Sequence, residues 1–164
     1  MKKKKKLYWA KVRPGAIIPT KKDEDAGYDF YACIEKSILI KPHQTVMLPT
    51  GIATAFNKSY VMILKERGST GTKGIAQRSG VIDSGYRDEI FIPVTNTTEH
   101  DIVIDKNDGL YVDKSDTLHY PASKAIAQAI LLRLPKVETE EITYGVLKLM
   151  KSERGTGKLG SSRK

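Results

Sequence analysis

A chain of 164 residues with 40% hydrophobic and 29% charged side chains has the size and apolar content of one ordinary domain that buries a core without cross-links. No apolar run approaches the roughly 18 residues a membrane span needs, and a single cysteine, Cys33, excludes an intrachain disulfide and fits a reducing, cytoplasmic setting. The net charge of +9 lies in the ends: residues 2–6 bring five lysines and residues 151–164 a net four, leaving 18 basic and 18 acidic groups in residues 7–150 and no folded basic face for stable nucleic-acid binding.

In chain order, residues 1–6 resemble the basic opening of a secretion signal. The next segment, Leu7-Tyr8-Trp9-Ala10-Lys11-Val12-Arg13, is too short and too charged to complete one, so 1–6 reads as a flexible basic tail. Strands are predicted at 46–48, 52–56, 60–64, 89–94 and 126–134, β-rich runs punctuated by Gly, Pro, Asn and Asp. Such spacing predicts an all-β sandwich or barrel. Residues 105–123, with Asp-Lys-Asn-Asp-Gly and Asp-Lys-Ser-Asp runs, read as a long polar excursion between two strands. Only 144–151 is predicted helical, with Thr143 as its N-cap and Val146, Leu147 and Met150 at helical intervals. His43, His100 and His119 are too scattered for a metal site and read as surface or loop histidines. The whole of 1–164 is read as a single domain.

The stretch Gly80-Val81-Ile82-Asp83-Ser84-Gly85-Tyr86-Arg87 sets one carboxylate after a β-branched pair. An acid presented at the end of such a run, against apolar walls, is suited to general-base work, although Asp-Ser-Gly-Tyr is also ordinary hairpin-corner chemistry. Near the end, Gly155-Thr156-Gly157-Lys158-Leu159-Gly160 matches a dinucleotide fingerprint by letter, but only four residues follow it, so no nucleotide-binding helix can open there. Walker A spacing fails as well, because Ser161 stands where the lysine belongs. A glycine-rich phosphate cradle survives, with Ser161 and Ser162 as donors and Arg154 as a bidentate partner.

Taken in order, five segments resemble the five motifs of the trimeric dUTPase (dUTP diphosphatase) family. They are Asp25-Ala26-Gly27-Tyr28-Asp29; Glu66-Arg67-Gly68-Ser69-Thr70-Gly71; residues 80–87; Ala125-Ile126-Ala127-Gln128; and the terminal run from Arg154 to Ser162. The resemblance implies a jelly-roll-like β-barrel or sandwich with one short helix near the C-terminus, assembled as a homotrimer. Its active sites would be shared between chains and closed by residues 152–164 as a glycine-rich lid. It also implies water attack on the α-phosphorus of dUTP, giving dUMP and pyrophosphate, which limits uracil in DNA and supplies dUMP for thymidylate synthesis. Mg²⁺ would be held mainly by the triphosphate, with Asp29 a candidate for holding metal-bound water. Asp83 would be the base, worth about 10²- to 10⁴-fold. Arg67, Ser69, Gln128, Arg154, Ser161 and Ser162 would neutralise phosphate charge, with Gly68 and Gly160 in the same phosphate segments.

The hairpin spanning Gly74 to Val81 resembles the one whose backbone reads uracil and leaves no room for a thymine methyl. Gly80, Val81 and Ile82 would line that pocket, with Gln77 near substrate and water. Tyr86 would lie beneath the deoxyribose, and Leu159 takes the usual Phe position over the base. The chain departs from the common pattern at Ser123-Lys124-Ala125, Asp88, Lys158 and Arg163, which implies a distinct branch, Gram-positive bacterial or phage-like. A dCTP deaminase is the nearest rival, but the position for its proton-shuttling glutamate, ten residues after Asp83, is Pro93. A noncatalytic β-domain that binds a regulatory partner is the rival of another kind, and it would have no use for Asp83.

Overall fold

The computed structural model describes residues 5–78, 80–106, 109–155 and 157. The chain divides into two compact units, Met1–Leu134 and Pro135–Lys164. In the first, the elements run β1 (Leu7–Lys11), β2 (Tyr28–Phe30), β3 (Ile38–Ile40), β4 (Thr45–Pro49), β5 (Ile52–Phe56), β6 (Tyr60–Lys65), α1 (Gly68–Gly71), β7 (Ile75–Gln77) and β8 (Val81–Ile82). They continue with β9 (Phe91–Asn96), β10 (Ile102–Asp105), β11 (Tyr111–Val112), β12 (Leu118–Pro121) and β13 (Ala127–Arg133). The strands make four small sheets, ordered β1-β5, β11-β12-β10-β3, β2-β13-β6-β8 and β4-β9-β7. Pairing is antiparallel except between β10 and β12. The all-β architecture expected from the spacing of apolar runs is present.

Period-two alternation explains the core. Met62 and Leu64 of β6, Ile92 and Val94 of β9, and Ala127 and Ala129 of β13 all point inward and are buried. Small faces large across the sheet, with Ala127 opposite Phe30 and Ala129 opposite Leu64, so paired side chains complement one another in size. Each isoleucine or leucine buried there contributes about 1.5–3 kcal/mol relative to exposure. Trp9 anchors β1 by edge contacts to Tyr28 and Phe30, with ring centroids 5.7 and 5.6 Å apart.

Several expectations are corrected. The run expected at 89–94 starts pairing only at Phe91, because buried Glu89 turns aside to accept the Gly51 N–H at 2.7 Å and Ile90 donates singly to Ile52. Residues 105–123 are not one excursion: β11 and β12 form a hairpin within it, and β12 returns parallel to β10. A second helix exists beside the expected one, the single turn α1, which Gly-Ser-Thr-Gly hides because glycine is a poor helix former. In the second unit, α2 (Tyr144–Leu149) ends two residues before the predicted limit, and Thr143 Oγ1 caps it by accepting the Val146 N–H at 3.4 Å.

Candidate active site

β13 collects the first, second and fourth motifs. Its inward alanines turn Gln128 to the other face, in register with Asp29 of β2 on one side and Lys65 of β6 on the other. Gln128 Nε2 donates to the Glu66 carbonyl at 2.9 Å, and a Cβ added to Gly27 would stand 2.7 Å from Gln128 Oε1, so a side chain at 27 displaces the glutamine. Arg67 follows directly. Its Nε pairs with Asp29 Oδ1 at 3.0 Å and its Nη2 donates to Asp29 Oδ2 at 3.4 Å. Its Nη1 reaches the Ala125 carbonyl at 3.3 Å and Ser69 Oγ at 3.4 Å. The backbone beneath is clamped by buried Thr70, whose hydroxyl donates to the Arg67 carbonyl at 3.0 Å and accepts the Arg67 N–H at 3.3 Å. Asp29, Arg67, Gly68, Ser69 and Gln128 thus form one polar cluster at one end of the β2-β13-β6-β8 sheet.

The third motif stands apart. β8 pairs with β6 through Met62–Ile82 and Ile63–Val81, and Gly80 lies so close that its carbonyl accepts the Leu64 N–H at 2.8 Å. A Cβ at Gly80 would come within 2.6 Å of the Leu64 carbonyl, which is why no side chain fits. Gln77 is buried rather than solvent-facing, with Nε2 donating to the Arg78 carbonyl at 2.6 Å. Past β8 the chain turns tightly. Tyr86 N–H donates to the Asp83 carbonyl at 3.1 Å, Tyr86 Oη donates to the Glu89 carbonyl at 2.7 Å, and Arg87 Nη1 donates to the Ser84 carbonyl at 2.7 Å. Asp83 is exposed on this rigid corner and Val81 is 67% exposed beside it, so the expected apolar wall is not built within one chain.

The β6 register separates the two groups. Asp83 falls level with Val61, whereas Gln128 is level with Lys65 and Arg67 lies beyond. Four residues at about 3.3 Å each put the levels about 13 Å apart. Arg154 is described in the second unit, where its carbonyl accepts the Gly157 N–H at 3.1 Å. Leu159, Gly160, Ser161 and Ser162 lie outside the described residues. Asp29 is engaged by Arg67, and no group of three His, Cys, Asp or Glu able to hold a metal occurs among the described residues.

Sequence reasoning missed two supports. Buried Tyr120 of β12 donates its hydroxyl to the Ala125 carbonyl at 2.8 Å, the same oxygen Arg67 contacts. Burial pushes its phenol above the usual value, against hydrogen bonds to Ser69 and Arg67 that lower it. His119 is the second, and the reading of it as a surface histidine is corrected: it sits on β12 with Nδ1 2.9 Å from Asp105 and Nε2 3.4 Å from Asp113, stacked on Tyr111. Contacts with Ser115 and Thr117 lower the Asp113 carboxyl to about 2. Neither residue carries a local motif, because each partner is remote or is a backbone atom. A cavity of about 690 Å³ lined by Arg13, Cys33, Lys36 and Lys106 contains none of the expected site residues.

The fold recurs in two solved phage proteins. One is a dUTPase mutant of Staphylococcus bacteriophage 80alpha with dUpNHpp, at TM-score 0.71 and 23% identity over 96% of this chain and 98% of that one. The other is a dUTPase mutant from phage phi11 of S. aureus described with a structural Mg(II) ion, at TM-score 0.65 and 20% identity over 84% and 96%. Among curated relatives, the deoxyuridine 5′-triphosphate nucleotidohydrolase of Leptospira interrogans is 31% identical over 104 residues, 61% of this chain and 72% of its own. That of Gloeobacter violaceus is 30% identical over 141 residues, 84% and 82%. The dUTPase family profile matches residues 13–110, which include Asp29, Arg67, Asp83 and Tyr86, and the chain belongs to the dUTPase family.

Proposed function

We propose that this protein hydrolyses dUTP to dUMP and pyrophosphate at sites shared between the copies of a homotrimer. The observation that carries the reading is the division along β6: a fixed guanidinium–carboxamide cluster at one end, an exposed carboxylate on a rigid corner at the other. A phosphorus under attack needs both within a few ångströms, and apposition of two copies brings them together. Asp83 of one copy accepts the proton of the attacking water, and Arg67, Ser69 and Gln128 of another hold phosphate oxygens as charge moves toward the departing pyrophosphate. Val81 and Ile82, with the backbone at Gly80, form one wall for the uracil, and Tyr86, held by its hydroxyl, presents its ring to the sugar. Gln77 backs the same hairpin. Arg154 and the segment through Leu159, Gly160, Ser161 and Ser162 close over the triphosphate.

One carboxylate near phosphates, and no larger acidic group among the described residues, suits a hydrated Mg²⁺ carried mainly by the substrate, which supplies charge neutralisation when bound. Asp29 would meet it through water while keeping Arg67 in place. The deaminase alternative gains no support, because Pro93 lies inside β9 opposite Met47 and its carbonyl accepts the Arg78 N–H at 2.8 Å. No described helix is long and apolar enough to cross a membrane. The lone Cys33 supports a reducing, cytoplasmic setting, and the departures at Ser123-Lys124-Ala125, Asp88, Lys158 and Arg163 support a Gram-positive bacterial or phage-like branch. The test is product analysis with dUTP, dCTP, dTTP and UTP, each with and without Mg²⁺. Selective, Mg²⁺-stimulated release of pyrophosphate from dUTP is expected. Deamination of dCTP, or no turnover of dUTP, would overturn the proposal.

A further inference from the structure

We infer that Tyr120 is a positioning residue for phosphate recognition: through the Ala125 carbonyl, its hydroxyl fixes the plane of the Arg67 guanidinium, an inference that rests on the function proposed above. Asp29 holds one edge of the guanidinium through Nε and Nη2, at 3.0 and 3.4 Å. The other edge, Nη1, rests on Ala125 O at 3.3 Å and on Ser69 Oγ at 3.4 Å, and Ser69 lies in the first turn of α1, an exposed segment. The carbonyl is anchored in the core. Ala125 is 4% exposed, and its oxygen accepts from Tyr120 Oη at 2.8 Å, where Tyr120 is 1% exposed.

The geometry makes the carbonyl a shared acceptor. A carbonyl oxygen has two lone-pair directions, and here one takes the tyrosine and the other the arginine. The ring of Tyr120 is fixed by its strand, since Tyr120 pairs with Ile104 and its neighbours Leu118 and Pro121 are held against β10 in the same ladder. The hydroxyl therefore acts as a post driven from the core into the site. Without it, the Ala125 carbonyl loses the donor that ties it to the core, and the arginine meets an acceptor less firmly held. A long arginine needs such preorganisation, because the donors must present a fixed fork to an anion. The support acts on ground state and transition state alike, so its removal should raise KM and leave kcat nearly unchanged.

Tyr120→Phe keeps the buried ring and deletes only the oxygen. In the full-length protein, calorimetric affinity for dUpNHpp is expected to fall about threefold to tenfold, the range of one ordinary hydrogen bond, while affinity for deoxyuridine, which has no phosphate, stays unchanged. In an Arg67→Ala background the same substitution should lose most of its effect on dUpNHpp, what remains passing through Ser69, which the hydroxyl also meets. The Arg67 Nε–Hε NMR signal of the unliganded protein should move in Tyr120→Phe, and 4-aminophenylalanine at 120, which retains a donor, should restore both signal and affinity. Equal losses for dUpNHpp and deoxyuridine, an undiminished loss in the Arg67→Ala background, or a variant that fails to fold would assign the hydroxyl to general structure and overturn the inference. Wild-type protein that binds no dUpNHpp and turns over no dUTP would instead remove the proposed function, and the inference with it.

Discussion

Asp83→Asn and Arg67→Ala are each expected to be inactive, yet oligomers assembled from a mixture of the two should work. In one chain the level of Asp83 along β6 is four residues from that of Gln128, about 13 Å, with Arg67 farther still. Water and phosphorus react from about 3–3.5 Å, so the proposed site would draw its base from one copy and its phosphate cluster from another. Asparagine at 83 cannot accept a proton, which costs about 10²- to 10⁴-fold, and loss of the arginine removes transition-state charge stabilisation worth about 10²- to 10³-fold. In a ring built at random from equal amounts of the two variants, a junction is intact when the Arg67→Ala copy supplies Asp83 to the Asp83→Asn copy that supplies Arg67. Each choice falls the right way half the time, so about one quarter of wild-type activity should return. Co-refolding or co-expression with differently tagged chains, native mass spectrometry to count mixed oligomers, and a pyrophosphate assay make the measurement. Mixed oligomers of both variants that stay at the level of the separate variants would refute the shared site and return both groups to one chain.

Gly80→Ala should destabilise the first unit by about 1–3 kcal/mol, because the new Cβ meets the Leu64 carbonyl at 2.6 Å and β8 must move off β6. A lower denaturant midpoint, with reduced turnover, is the readout, and an unchanged midpoint counts against the close contact. Asp113 has a depressed carboxyl, at about 2 against an ordinary 3.8, through Ser115 first and then Thr117. Its contribution to the 113–117 turn is complete above the ordinary value and lost as pH falls through about 2. Side-chain carboxyl NMR should therefore show a midpoint near 2 that reverts toward 3.8 in Ser115→Ala. Deleting residues 152–164 should cripple turnover and leave the melting of the first unit in place, and a truncated protein with full activity would end the lid reading.

What the sequence disclosed was chemistry that has a local signature. Gly80 and Asp83 stand out because a forbidden side chain and a charged corner leave marks in consecutive letters, and the strands at 52–56 and 60–64 because five or six residues suffice for alternation. β7, β8 and β11 are two or three residues long, too short for any period to register. α1 is a helical turn written in residues that disfavour helices, and it forms because Thr70 ties both ends of the Arg67 backbone. The roles of Glu89, His119 and Tyr120 escaped the sequence for another reason. Their partners are the Gly51 N–H, the Asp105 carboxylate and the carbonyl of Ala125, and nothing in a one-dimensional string marks a backbone atom or a residue distant along the chain as a partner.

That division follows from the way a β-sheet builds a site. Alternation on β13 decides that Gln128 faces out because Ala127 and Ala129 face in, and antiparallel register with β2 and β6 then delivers Asp29 and Lys65 to its sides. A slip of one residue would bury the glutamine and expose the alanines, so the hydrophobic core itself sets the position of the polar cluster. Pairing of β8 to the far half of β6 is fixed in the same way, by Ile82 packed against the core opposite Met62, and it sends Asp83 to the other end. The same forces that stabilise one chain therefore hold its base away from its own phosphate cluster. Under the function proposed above, association is a chemical requirement, and the exposed Val81 beside an exposed Asp83 is the surface a neighbouring copy would cover.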